Sequence, residues 1–210
     1  MKIIPASYEI LSEIDGDKIL KNLELCGRVC YKSEDKITDD SAKKFVASLI
    51  KNGHEAMIEH DIITIKFICD RGVSHEIVRH RIASFAQEST RYCNYSKDKF
   101  GSEITVIKPS FWDNGSIQYE MWEGLCRCCE RSYFRLLEKG SSPQEARTVL
   151  PNSLKTEIVV TMNLREWRHF FKLRTAKVAH PQMRELTIPL LAELKSNIPV
   201  IFDDIIVSEN

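Results

Sequence analysis

Apolar residues recur along this chain in two rhythms, one near every third or fourth position and one at every second. The switches between them mark out its elements. Ile19, Leu20, Leu23, Leu25 and Val29 fall near helical spacing within "GDKILKNLELCGRVCYKS". A second helix is expected over roughly 41–51, with Phe45, Val46, Leu49 and Ile50 on one side and Asn52-Gly53 as its stop. In "DIITIKFICD" the rhythm changes, because Thr64 and Lys66 alternate with Ile63, Ile65 and Phe67; this reads as a strand ended by Gly72. Val73, Ile77, Val78 and Ile82 return to helical spacing and predict a helix over 73–85. "EITVIKPS" is a second strand, closed by Pro109.

The longest helix is expected over 117–139, capped by Ser116, followed by Gly140, and buried through Ile117, Met121, Trp122 and Leu125. Ser142-Pro143-Gln144-Glu145 carries a capping box with Pro at the first helical position, opening a helix that holds Arg147 and stops before Pro151. "TEIVVTMN" is a third strand. Asn163 ends it and caps "LREWRHFFKLR", with Glu166 at the reciprocal capping-box position. A last helix covers much of 180–197, disturbed at Pro189. Helices and strands mix without regular βαβ alternation, so the expected fold is α+β with a largely antiparallel sheet, in one domain spanning 1–210.

Charge narrows the function. Lys plus Arg and Asp plus Glu are both 30, so the chain is formally neutral and lacks the basic surplus of a protein that lives on a nucleic-acid polymer. No apolar stretch approaches the ~20 residues that span a bilayer, and "MKIIPASYEI" lacks a signal-peptide core; a cytoplasmic location and no membrane partner are expected. The seven cysteines, an odd number, then read as buried thiols rather than a disulfide framework.

Against this neutral background, "RHRIASFAQESTRY" is a local knot of cations, with Arg79, His80 and Arg81 in consecutive positions and Arg91 after them. On a helix these three would fan across about 200° and serve two neighbouring anionic ligands, or one ligand and a second subunit. Ser89, Thr90 and Arg91 offer hydroxyls, backbone N–H groups and a guanidinium, which suit a phosphate. The plain alternative is a solvated basic face paired with Glu76 and Glu88. Arg174 suits a helix C-terminus, and His169, one turn after Arg165, suits packing beside Trp167 and Phe170. In "HEAMIEH" the histidines His54 and His60 are six apart, not the four of a zinc-protease helix, so no metal is expected. No G-x-G-x-x-G occurs, which argues against a Rossmann domain.

Arg-His-Arg, seven residues, then Ser with Arg two further on, resembles the signature of the flavin-dependent thymidylate synthases. The flanking "GRVCYKS", "NGHEAMIEH", "EARTVLPNSL" and "MNLREWRHFFKLR" resemble that family in the same order. The resemblance implies the family's own α+β fold and conversion of dUMP to dTMP. It implies methylenetetrahydrofolate as carbon donor, NADPH as reductant through FAD, and release of tetrahydrofolate. It also implies a homotetramer whose active sites are assembled from several subunits. By residue, it implies FAD contacts at His54, Arg79, His80, Arg81, Gln87, Asn163, Arg165 and His169. For dUMP it implies Glu76, Arg79, Gln87, Glu88, Ser89, Thr90, Arg91, Arg147 and Arg174, with Arg174 activating the uracil. Two positions depart from the family pattern: Glu76 stands where Gln is expected, and Ala86 where a polar residue is common. Another flavin enzyme acting on a phosphate-bearing substrate, a nucleic-acid-binding module, and a ligand-free interaction protein are the readings that remain beside it.

Overall fold

The long period-two segments become the central strands of a sheet. In this computed structural model, which describes residues 1–97 and 100–207, they are β3 (Ile62–Asp70) and β6 (Lys155–Asn163). Ile63, Ile65, Phe67 and Cys69 are buried in β3, and Thr156, Ile158, Val160 and Met162 in β6, so each strand turns alternate residues inward. With β2 (Ser7–Ile10) and β4 (Ala83–Gln87) they form an antiparallel sheet in the order β2-β3-β6-β4. A separate pair is parallel: β1 (Lys2–Ile4) runs beside β5 (Thr105–Ile107), Lys2 opposite Thr105. The mixture of helices with a largely antiparallel sheet is the α+β architecture expected.

The chain divides into two compact units, each built from three separated stretches. The first takes Met1–Ser7, Phe67–Arg79 and Ala86–Val159; the second takes Tyr8–Lys66, His80–Phe85 and the chain from Val160 onward. In the first unit, α4 (Ile117–Glu138) is capped by Ser116, whose hydroxyl accepts from the Tyr119 N–H at 3.2 Å, and ends before Gly140 at φ +91°. Its buried face differs from expectation. Cys126 and Tyr133 face the core with Trp122 packed beside them, whereas Ile117, Met121 and Leu125 are 72, 71 and 62% exposed. The helix carries two overlapping apolar stripes about one residue, or 100°, apart, and the stripe bearing the larger rings meets Ile104, Val106 and Leu154. The capping box of α5 (Pro143–Ala146) forms, Glu145 Oε2 accepting from the Ser142 N–H at 2.7 Å. The helix lasts one turn and tightens into a 3-10 helix, Arg147–Val149.

In the second unit, α1 (Gly16–Val29) packs on α2 (Ser41–Lys51). Gly27 permits the approach, since a Cβ there would lie 2.6 Å from Phe45 Cε1. The stop of α2 is as expected, with Gly53 left-handed at φ +71°. A 3-10 helix, Glu55–His60, leads into β3. Asn163 caps α6 (Leu164–Arg174) by accepting from the Glu166 N–H at 2.8 Å. Trp167, Phe170 and Phe171 of α6 form an aromatic cluster that Phe202 extends, its ring 5.6 Å from that of Phe171. Helix α7 (Pro181–Asn197) continues through Pro189 rather than breaking there, and packs on α6.

Two expectations are corrected where chemistry is concerned. The helix expected over 73–85 stops early: α3 is Arg71–Ile77, Val78 and Arg79 form a turn, and β4 begins at Ala83. Val73 and Ile77 are buried as foreseen, but Ile82 is 69% exposed. No apolar face rewards a longer helix, and pairing with β6 satisfies the backbone as a strand. The fan of Arg79, His80 and Arg81 therefore does not exist. Arg79 sits in the turn, and His80 and Arg81 on the irregular chain between that turn and β4, with Arg79 and Arg81 exposed and His80 buried. Glu166, in turn, does not reach back to its own helix cap; its carboxylate turns to His80.

Candidate active site

The residues singled out from the sequence collect into two groups, one within each unit. In the first unit, the chain leaving β4 bends through Glu88–Arg91 and is held by arginines from three places. Arg147 Nη1 donates to Thr90 Oγ1 at 3.3 Å, and Arg91 Nε donates to Gln144 Oε1 of α5 at 3.2 Å. Arg71 Nη1 reaches the Glu88 carbonyl at 3.5 Å. Ser89 is half-buried, and its Oγ accepts from the Arg91 N–H at 3.3 Å. Two hydroxyls and three guanidiniums thus gather around one short loop, a donor-rich arrangement suited to an anion.

Gln87, at the end of β4, is anchored from within: its Nε2 donates to Ser74 Oγ at 2.9 Å and Thr156 Oγ1 at 3.3 Å, both buried. Glu88 points elsewhere. Its Oε1 accepts from the Tyr95 hydroxyl at 3.0 Å, and its Oε2 pairs with Lys155 Nζ at 2.9 Å. Lys155 also pairs with Glu157 at 2.8 Å. Burial pulls Lys155 toward neutrality, but the bonds to Glu157 and Glu88 outweigh it and hold the ammonium charged above its usual range. The Glu88 carboxylate faces a cavity of about 360 Å³ lined also by Lys2, Phe100 and Thr105. Glu76 lies in the last turn of α3, and Arg79 is exposed just beyond it.

In the second unit, His80 is the centre. It is 3% exposed, with the Phe170 ring 4.9 Å away edge-on and the His169 ring 5.5 Å away. Its Nδ1 is 3.0 Å from Glu166 Oε1, and its Nε2 accepts from Arg174 Nε at 3.1 Å. Burial lowers the His80 pKa below the usual histidine range, Arg174 and His169 push the same way, and Glu166 opposes them. Asn163, Arg165, Glu166 and His169 line a cavity of about 470 Å³ with Glu55, Glu59, Lys172 and the exposed Ile82. Arg165 is tied there to Glu59 at 2.6 Å. His54 and Arg81 are exposed, His54 one residue before the Glu55–His60 turn. His80, Glu166 and His169 bring ligand-type atoms within 4.8 Å of one another. A guanidinium already occupies Nε2 of His80, so the electrostatics disfavour a divalent ion at that nitrogen.

Three partners were not singled out from the sequence. Glu166 passes for an ordinary capping acid, and nothing local marks its reach of 86 positions to His80. Lys155 opens a strand and gives no signal. Arg71 gives a faint one: it stands at the first position of α3, where the helix dipole disfavours a cation.

Comparison with known proteins places the chain in a lineage. Residues 13–200 match the family "Thymidylate synthase complementing protein". A flavin-dependent thymidylate synthase of Geobacter sulfurreducens is 33% identical over 187 residues, 86% of this chain and 79% of that protein. One from Corynebacterium aurimucosum is 36% identical over 194 residues, 87% of this chain and 78% of the relative. The fold is shared with the UMP/dUMP methylase PolB of Streptomyces cacaoi, solved with 5-Br dUMP, at TM-score 0.78 and 20% identity over 97% of this chain and 96% of that one. On the family match and these identities, the chain belongs to the thymidylate synthase complementing protein family, that of the flavin-dependent thymidylate synthases.

Proposed function

We propose that this protein is a thymidylate synthase that converts dUMP to dTMP, taking the methylene carbon of methylenetetrahydrofolate and electrons from NADPH through FAD. The observation that carries the reading is the loop Ser89–Arg91, where hydroxyls and the guanidiniums of Arg71, Arg91 and Arg147 meet within the Arg-His-Arg…Ser motif. Its donors match a nucleotide monophosphate in number and charge. Glu76 and Gln87, both before that loop in sequence, are further nucleotide contacts, and Arg79 serves both nucleotide and cofactor.

The chain's own donors also fit the flavin cofactor. Asn163, Arg165 and His169 present an amide, a guanidinium and an imidazole along one cavity wall, and Ile82 adds an exposed apolar surface against which a flat ring can lie. His54, His80 and Arg81 complete the expected set. FAD, when bound, supplies the hydride chemistry that the side chains lack. The protein's part is to bind, orient and polarise. Arg174 is the catalytic residue: a guanidinium beside the uracil N3 and carbonyl edge stabilises the negative charge that develops on the ring. Such preaimed help is worth roughly 2.7–4 kcal/mol per donor. Active sites are completed by other subunits of a homotetramer acting as a single-domain cytoplasmic enzyme.

Two measurements test this. The purified protein is expected to be yellow and to release tritium from C5-labelled dUMP only when methylenetetrahydrofolate and NADPH are present. Arg174→Ala is expected to keep its fold and lose about 10²–10³ in turnover. Colourless protein without folate-dependent release sinks the assignment, and near-normal turnover in Arg174→Ala removes Arg174 from its role.

A further inference from the structure

Helix α6 supplies both a cation and the means of aiming it. Its third residue, Glu166, is positioned to fold back on the helix N-terminus, and Asn163 already does that work. The Glu166 carboxylate, 8% exposed, instead meets His80 Nδ1 at 3.0 Å. On the other side of the ring, Nε2 meets the Nε–H of Arg174 at 3.1 Å, from the last residue of the same helix. The two partners impose one answer. An ionised carboxylate only accepts, so Nδ1 must carry the proton; a guanidinium only donates, so Nε2 must offer its lone pair. The ring cannot turn to escape, because the Phe170 and His169 rings pack against it.

We propose that Glu166 is a positioning residue for Arg174, acting through His80: the carboxylate fixes the imidazole as its Nδ1–H tautomer, and the Nε2 lone pair then anchors the guanidinium at its Nε. This deepens the proposed function and rests on it only for the role of Arg174; the hydrogen-bonded chain itself stands on the geometry. Asn163 supplies the helix cap, and the Glu166 carboxylate is committed to His80. Its effect on turnover comes from where it holds the guanidinium, and a misplacement of about 1 Å costs on the order of 10² in rate.

The chain also carries a pH signature. Protonating His80 puts an N–H at Nε2 against the Nε–H of Arg174, two donors face to face, so the anchored state requires a neutral ring. The groups facing His80 are Glu166, Arg174 and His169, and its chain neighbours Arg79 and Arg81 are exposed. Burial, Arg174 and His169 all disfavour the imidazolium, while Glu166 favours it. Removing the Glu166 charge therefore makes His80 harder to protonate and moves the acid limb of turnover to lower pH.

The experiment pairs Glu166→Ala with Glu166→Gln and reads turnover across pH, together with the ¹⁵N resonances of the His80 ring. The wild-type protein is expected to show a protonated Nδ1 and an unprotonated Nε2 at neutral pH, with or without bound ligands. Glu166→Ala is expected to mix the tautomers and lose about 10–10²-fold in kcat. Glu166→Gln keeps an acceptor opposite Nδ1, so it is expected to recover most of that loss and to shift the acid limb downward. Should the alanine variant fail to fold, the limb shift in the glutamine variant decides. A wild-type ring carrying its proton on Nε2, or a charged ring at neutral pH, overturns the proposal. So does an acid limb in Glu166→Gln that stays in place. A protein with the expected tautomer but no activity on dUMP instead overturns the proposed function and leaves the positioning chain standing.

Discussion

Arg168 offers the clearest test of how the helix bearing Asn163, Arg165, His169 and Arg174 is held. Its side chain is 2% exposed, yet it is fully charged. The guanidinium donates to Glu55 Oε1 through Nε at 3.2 Å and Nη2 at 3.0 Å. It donates to both oxygens of Asp204, at 2.6 and 2.8 Å, and to the carbonyl of the buried Ile201. One side chain thus clamps the 201–204 segment and the Glu55 turn to α6. Removing one member of a buried pair typically costs ~3–5 kcal/mol, because the other is left uncompensated. Two features moderate that here: the Asp204 side chain is half exposed and can turn to water, and Glu55 retains Arg165 at 3.9 Å and Lys172 at 3.8 Å. The Ile201 carbonyl has no such relief and contributes ~1–3 kcal/mol once its donor is gone. Arg168→Ala is therefore expected to lose about 3 kcal/mol, and Asp204→Asn about 1 kcal/mol or less. Urea unfolding measures both, as a lower midpoint at unchanged slope. A loss under about 1 kcal/mol in Arg168→Ala would show that the clamp is ornamental and that packing alone holds this helix.

The same clamp predicts an acid limb of stability. Asp204 is held below the usual carboxylate range, chiefly by its hydrogen bond from Arg168. A depressed carboxyl stabilises the fold above its unfolded pKa, near ~3.9, and that contribution fades as pH falls through the lower folded value. Wild-type protein is expected to lose stability from about pH 4 downward more steeply than Asp204→Asn; parallel melting curves would count against it. The cysteines are expected to be dispensable for chemistry. Burial pushes the Cys126 thiol up to about 11 and raises Cys69 further, so neither is a nucleophile at neutral pH. Single Cys→Ala variants are expected to keep kcat, and one that binds both substrates but cannot turn over refutes this.

The sequence alone was a good guide wherever a local cause sufficed. Ser116 and Asn163 accept from the first turns of their helices, and Gly53 and Gly140 stand left-handed past helix ends. The strands β3 and β6 follow from strict alternation. It misled where two local answers were equally good. Helix α4 had two apolar stripes, and only the neighbours Ile104, Val106 and Leu154 chose between them. The 73–85 stretch had helical spacing, and only the open edge of β6 made Ala83–Gln87 a strand.

The candidate site divides along the same line. Side-chain chemistry and spacing determined, without coordinates, that a neutral chain carries a concentrated set of guanidiniums beside hydroxyls, because charge and donor count are properties of the residues themselves. Which of those groups meet is a matter of long-range geometry. Arg147 reaches Thr90 across 57 positions, and Arg174 reaches His80 across 94. Only the tertiary fold decided that His80 is buried between an acceptor and a donor, since a tautomer is set by partners and a histidine's sequence neighbours do not choose them.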